Sequence, residues 1–219
     1  MSAAPLLGAP QEVRIGGDLG LAALLGIPQG AKGLVIFAHG SGSGRLSPRN
    51  NHVAACLRED GMATLLLDLL TPYEEQDRRN VFDIALLATR LRLAADWAAE
   101  QPGTRDLRPC YFGASTGGGA ALRAAADDPR IAAVVSRGGR PDLAGADALG
   151  RVRAPTLLIV GELDGTVIEL NAAAYDAMHC EREMTIVPGA GHLFEEPGTL
   201  DQVVALASAW FRRHLGDMR

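Results

Sequence analysis

A serine lies at the centre of a glycine-rich pentapeptide, GASTG at positions 113–117. An apolar run at 110–112 precedes it and an alanine-rich stretch follows it, which predicts a strand, a tight turn and a helix. Such a turn pushes the Ser115 hydroxyl out over the end of a sheet, beside the N-terminus of the following helix. The pentapeptide alone would also fit an ordinary helix cap, but this context favours Ser115 as a nucleophile.

A serine hydroxyl attacks a carbonyl only when a neighbouring base accepts its proton and an acid orients that base. His192 ends the loop PGAGH, directly after the last predicted strand, and is the predicted base. The loop GELDG at 161–165 follows the preceding strand and supplies the acid, with Asp164 preferred and Glu162 as the alternative. Parallel strands end at one edge of a sheet, so these loops are expected to meet there.

A second glycine-rich loop, HGSGSG at positions 39–44, follows the predicted strand 33–38. Its backbone is expected to face the nucleophile, and the N–H groups of Ser41 and Thr116 are the predicted donors to an oxyanion. His39 is expected to hold the loop by side-chain hydrogen bonds rather than to carry protons. The glycine spacing fits neither nucleotide-binding fingerprint, which argues against bound nucleotide.

Four arginines are expected near the same sheet edge: Arg45, Arg49, Arg137 and Arg140. They could bind a carboxylate or phosphate of a substrate, because the guanidinium group matches these anions in shape and charge. Arginine far outnumbers lysine along the whole chain, so solvation of the surface is the alternative interpretation of all four.

Short apolar runs alternate with segments of helical period, which is typical of strands buried on both faces of a parallel sheet. Strands are predicted at 33–38, 63–67, 110–112, 131–136, 156–160 and 184–187, with an N-terminal hairpin of 12–15 and 19–25. Helices are predicted at 51–60, 80–100, 116–127, 168–179 and 199–215. The alternation predicts an α/β fold over 1–219 as one domain, with no room for a cap domain between 137 and 155.

Composition narrows the classes of partner. The chain has 219 residues and a net charge of −5, so it lacks the basic footprint of a nucleic-acid-binding protein. No apolar run approaches the ~18 residues of a membrane span. The first ten residues lack the basic start and apolar core of a secretory signal, and the three cysteines lack metal-like spacing. These features predict a cytoplasmic protein without a metal site.

The loops HGSGSG, GASTGG, GELDG and GAGHLFEEPG together resemble the α/β-hydrolase superfamily, and more narrowly its compact bacterial dienelactone hydrolase-like members. The segments SPRN at 47–50 and SRGGRPDL at 136–143 add to the similarity, which covers about residues 34–215. The resemblance implies a Ser115–Asp164–His192 triad, a largely parallel sheet of about eight strands, and no cofactor. Dienelactone hydrolases proper use a cysteine nucleophile where this chain has Ser115, so their lactone substrate does not carry over.

These observations favour hydrolysis of a small soluble ester through an acyl-enzyme on Ser115. The same triad could transfer the acyl group to an alcohol or to peroxide instead of water. A hydrolase fold retained as a binding module without catalysis is the alternative from another class.

Overall fold

The computed structural model of the protein describes residues 9–216. Residues 1–8 lie outside that range. They make up most of the N-terminal segment that is predicted to contain no secretory signal. One sheet contains eight strands: β1 Gln11–Ile15, β2 Leu21–Gly26, β3 Leu34–Ala38, β4 Ala63–Leu67, β5 Pro109–Ala114, β6 Val134–Arg137, β7 Thr156–Gly161 and β8 Arg182–Val187. The helices are α1 Pro48–Glu59, α2 Arg78–Val81, α3 Ile84–Glu100, α4 Thr116–Ala126, α5 Ala146–Arg151, α6 Gly165–Ala177 and α7 Thr199–Leu215.

The strand order is β1-β2-β4-β3-β5-β6-β7-β8. Strand β2 is antiparallel to β1 and β4, and all other neighbours are parallel. The loops after β3, β5, β6, β7 and β8 therefore leave the sheet at one edge, which we call the carboxyl edge. This topology confirms the predicted α/β-hydrolase fold and its largely parallel sheet.

Helices cover both faces of the sheet because the inner strands are apolar on both sides. Alternate residues of β3 separate into two cores: Ile36 belongs to the one that includes α3 and α4, and Phe37 to the one that includes α1 and α7. Phe37 packs against Phe112 of β5 with ring centroids 4.9 Å apart. The two cores fix the central strands, and hence the carboxyl edge, from both sides.

Several predicted boundaries were wrong, and capping explains two of them. Helix α1 begins at Pro48 rather than at 51, because Ser47 accepts a hydrogen bond from the Asn50 N–H and proline suits the first helical turn. The predicted helix 80–100 divides before Ile84, since Asp83 caps α3 by accepting from the Leu86 N–H. Strand β8 starts at Arg182, two residues early, because an exposed edge strand carries polar residues that the apolar pattern omits.

The connection between β6 and β7 contains a short 3₁₀ turn, Pro141–Ala144, and α5.

Within residues 9–216, no helix is both long and apolar enough to cross a membrane.

Candidate active site

Ser115 lies between β5 and α4 with φ 51° and ψ −124°, a backbone conformation that a non-glycine residue rarely adopts. The glycines on either side make this turn possible. A β-carbon on Gly113 would lie 2.5 Å from the Gly117 carbonyl oxygen, and one on Gly117 would lie 2.1 Å from the Ala38 carbonyl oxygen. The turn at 113–117, which we call the elbow, therefore packs directly against the end of β3, with no space for side chains at Gly113 and Gly117.

His192 reaches Ser115 from the loop after β8. Its Nε2 lies 3.3 Å from Ser115 Oγ, and its Nδ1 lies 2.6 Å from Asp164 Oδ2. With Nδ1 donating to the carboxylate, Nε2 is left to accept the serine proton. The structure thus brings together the three residues that the sequence singled out, in the geometry of an oriented base beside a hydroxyl.

Glu162, the alternative acid, has another partner: its Oε2 accepts the Gly189 N–H over 2.8 Å. It thereby ties the acid loop to the histidine loop without reaching the imidazole. The structure favours Asp164 over Glu162 as the residue that orients His192.

The loop that carries His192 is held by several unusual contacts. Phe194 is almost fully buried although its φ of 54° lies in the left-handed region. Gly138 lies beneath the loop, where a β-carbon would come 3.0 Å from the His192 carbonyl oxygen. The backbone N–H groups of Glu196 and Gly191 hold the pKa of the Glu196 carboxyl below its ordinary value. These contacts fix the position of His192 relative to Ser115.

The predicted oxyanion donors are arranged differently from the expectation. The Ser41 N–H does come to the elbow, but it donates to Thr116 Oγ1 over 3.0 Å. Thr116 is the first residue of α4, so its own N–H has no partner within the helix. The Ser41 N–H is therefore not free in the resting site, because the Thr116 hydroxyl oxygen occupies it. This hydroxyl was not among the predicted oxyanion donors.

His39 fastens the loop after β3, as expected. Its Nε2 accepts the Leu69 N–H over 3.1 Å and its Nδ1 lies 2.9 Å from the Gly40 carbonyl oxygen. Nε2 thus joins the loop after β3 to the loop after β4, while Nδ1 bonds within its own loop.

Three of the four predicted substrate-binding arginines have carboxylate partners. Arg45 binds Asp68 through its backbone N–H and its guanidinium, Arg49 Nη1 lies 2.6 Å from Glu195, and Arg140 forms two bonds of 2.8 and 2.7 Å to Asp142. A carboxylate partner offsets the charge of the guanidinium and occupies some of its five N–H donors, which weakens its attraction for a substrate anion. The spacing of the arginines did not reveal these acids, and the contact of the three residues with a substrate stays a prediction.

Arg137, the fourth, is 7% exposed, and its Nε and Nη1 are buried without a hydrogen-bond partner in the part of the chain that the structure describes. Burial, with a smaller effect of Arg49, lowers its pKa to about 10. Its guanidinium carbon lies 5.9 Å from the centre of the Phe194 ring. Arg137 thus belongs to the α1 and α7 side of the sheet, beneath the histidine loop.

Cys110 is fully buried in β5, and burial raises the pKa of its thiol to about 12. A thiol with so high a pKa is a poor nucleophile at neutral pH.

Among residues 9–216, no cluster of three His, Cys, Asp or Glu side chains is arranged to hold a metal ion.

A cavity of about 300 Å³ opens beside the elbow and was not predicted. It lies between the loop after β3, Thr116 and the segment that leads into α3. The apolar part of its lining is formed by Leu70, Val81 and Leu87. No sequence signal distinguished this lining from the rest of the core.

The fold and the three assembled side chains define an α/β-hydrolase. No protein-family model matches the chain. Among solved structures, it is similar to a dienelactone hydrolase from Anabaena variabilis ATCC 29413, with 53% identity, 95% of this chain and 100% of that chain covered, and a TM-score of 0.91. The chain therefore belongs to the dienelactone hydrolase family of α/β-hydrolases.

More distant structures share the fold alone. An esterase domain from Rhodothermus marinus is 21% identical with a TM-score of 0.75, covering 94% of this chain and 99% of that chain. Est1E from Butyrivibrio proteoclasticus is 18% identical with a TM-score of 0.78, covering 95% and 99%.

A curated relative carries a different kind of name. A protein of Mycobacterium tuberculosis H37Rv, provisionally named a phosphoribosyl transferase, is 58% identical over 208 residues, which make up 94% of this chain and 46% of that protein. The same protein of strain CDC 1551 matches equally. The chain spans about half the length of the curated relatives it matches.

Proposed function

We propose that the protein hydrolyses small carboxylic esters through an acyl-enzyme on Ser115. The observation that carries this proposal is the continuous contact from Asp164 Oδ2 through His192 to Ser115 Oγ, at 2.6 and 3.3 Å. A carboxylate, an imidazole and a hydroxyl in this order are what nucleophilic attack on an acyl carbon requires.

In the first half-reaction the Ser115 oxygen bonds to the ester carbonyl carbon while its proton passes to His192 Nε2. The carbonyl oxygen becomes an oxyanion, and Asp164 stabilises the imidazolium. Collapse of this intermediate breaks the bond to the alcohol oxygen, which takes the proton from Nε2. Water then attacks the acyl group by the same steps, so that the acid leaves and Ser115 recovers its proton.

The oxyanion is held by groups at the start of α4. The Thr116 N–H is one donor, and the positive end of the helix dipole adds to it. The Ser41 N–H contributes through Thr116: because it donates to Oγ1, it leaves the hydroxyl proton of Thr116 available for the oxyanion. Ser41 in this arrangement orients and polarises the second donor.

Two observations support a small substrate. The cavity beside the elbow has a volume of about 300 Å³, at the lower end of the range for ligand pockets. The connection from β6 to β7 contributes only a 3₁₀ turn and α5. The transferase name belongs to relatives of about twice this length, and the geometry of the elbow gives no reason to carry it over.

The direct test is turnover of p-nitrophenyl acetate and butyrate by the wild type and by Ser115→Ala. We expect the variant to lose several orders of magnitude in kcat at unchanged folding, judged by circular dichroism. Equal turnover by both proteins would contradict the proposal. Adding an alcohol or hydrogen peroxide and quantifying the acyl products distinguishes hydrolysis from transfer to another acceptor.

A further inference from the structure

The cavity beside the elbow has a definite chemical character. Leu70, Val81 and Leu87 form an apolar wall that belongs to the core on the α3 side of the sheet. Residues 39–43 of the loop after β3, together with Thr116 and Glu75, complete the lining. The cavity lies next to the nucleophile, since a β-carbon on Gly40 would come 3.0 Å from Ser115 Cβ. An ester bound at Ser115 would place one of its arms in this space.

Only two titratable groups occur among the described residues that line the cavity, His39 and Glu75. His39 Nε2 accepts the Leu69 N–H, so that nitrogen carries no proton and the ring contributes no charge. Within residues 9–216, the exposed Glu75 carboxylate has no ion pair or hydrogen bond, although its backbone N–H is bonded to Thr71. The lining therefore bears one negative charge that nothing in this part of the protein neutralises.

No lysine or arginine of residues 9–216 lines the cavity. Of the arginines nearest to Glu75 in sequence, Arg79 and Arg90 pair with Asp77 and Glu74, and the Arg78 guanidinium lies 5.9 Å from the centre of the Phe82 ring.

The arginines at the carboxyl edge are directed elsewhere as well. Arg45 and Arg140 are engaged by Asp68 and Asp142, and Arg49 by Glu195. Arg137 follows Val135 by two residues in β6, which puts its side chain on the α1 and α7 face, opposite the face that forms the cavity wall. An anionic arm in the cavity would meet the Glu75 carboxylate without a compensating guanidinium.

From this arrangement we propose that the site selects esters by charge. It accepts substrates whose cavity-bound arm is apolar and neutral or bears a quaternary or primary ammonium, and Glu75 discriminates against arms that end in a carboxylate. The proposal rests on Ser115 acting as the esterase nucleophile, and it makes Glu75 a specificity-determining residue that takes no part in the chemistry.

The test uses p-nitrophenyl esters of matched length: butyrate, hemisuccinate and 4-(trimethylammonio)butyrate. A second series carries a methyl, carboxylate or trimethylammonium terminus on the alcohol arm, so that each arm of the ester is tested in turn. For at least one series, we expect kcat/KM of the wild type to be lowest for the anionic ester. Glu75→Gln should raise the ratio of kcat/KM for the anionic ester to kcat/KM for the neutral ester about threefold to tenfold at low salt, as for two unit charges some 6 Å apart in a largely aqueous medium. The gain should shrink at high ionic strength.

Glu169→Gln is the matched control, because Glu169 is an exposed carboxylate of α6 that does not line the cavity. Two results would overturn the charge selection: anionic esters turned over as fast as neutral ones in both series, or the same gain from Glu169→Gln as from Glu75→Gln. Failure of the esterase proposal is separable, since Ser115→Ala would then hydrolyse the neutral esters as fast as the wild type.

Discussion

The backbone N–H of Ser41 donates to the side-chain oxygen of Thr116 across 3.0 Å, joining the loop after β3 to the residue that follows the nucleophile. The two residues are 75 positions apart in sequence, and Thr116 is almost fully buried. A hydroxyl that accepts this bond keeps its own proton for a third group. In the proposed reaction that third group is the substrate oxyanion.

Thr116→Val removes the hydroxyl at nearly constant shape. We expect kcat for p-nitrophenyl butyrate to fall roughly 10²-fold with little change in KM, as for the loss of one donor to the oxyanion. Thr116→Ser keeps the hydroxyl and should stay close to the wild type. Steady-state kinetics on the three proteins checks this. A Thr116→Val enzyme as fast as the wild type, or faster, would mean that the hydroxyl only blocks the Ser41 N–H.

The two acids of the loop after β7 can be separated by amide substitutions. Asp164→Asn should lower kcat about 10⁴-fold, because an amide no longer fixes the His192 tautomer or stabilises its charged form. Glu162→Gln should retain most of the activity, because the Gly189 N–H is the one hydrogen-bond partner of its carboxylate among residues 9–216. A larger loss in Glu162→Gln than in Asp164→Asn would reverse the assignment of the orienting acid.

Arg137 provides a prediction about stability. Its buried Nε and Nη1 lack hydrogen-bond partners, and burial lowers its pKa to about 10, which is the mark of a charge that folding desolvates without pairing. Arg137→Met fills a similar volume without the charge, so the free energy of unfolding should be unchanged or increase by about 1–4 kcal/mol. The corresponding rise in Tm is about 2–4 °C per kcal/mol for a chain of this size.

Arg140→Met serves as the comparison for that measurement, because it breaks a part-exposed pair with Asp142 worth at most about 1 kcal/mol. A loss of several kcal/mol in Arg137→Met, well beyond the effect of Arg140→Met, would show that the Arg137 charge stabilises the fold.

The sequence predicted the elements that depend on local pattern and chain order. The apolar runs located the central strands, and Ser115, Asp164 and His192 follow from the rule that parallel strands end at one edge. Contacts between distant side chains were not accessible in this way. The ion pair of Arg49 with Glu195 spans 146 positions, and the bond from Ser41 to Thr116 depends on a rotamer. The helix starts at Pro48 and Ile84 were not predicted, because the caps Ser47 and Asp83 set them rather than the apolar periodicity.

The nucleophilic role of Ser115 is tested most directly by covalent labelling with a fluorophosphonate, followed by intact mass and peptide mapping. Such a probe reacts with a serine that an adjacent base activates, and its phosphonyl oxygen occupies the oxyanion position. We predict one adduct per chain, on the peptide that contains Ser115, and none in Ser115→Ala or, at the same exposure, in His192→Asn. An unlabelled wild type, or an adduct that persists in Ser115→Ala, would contradict the assignment.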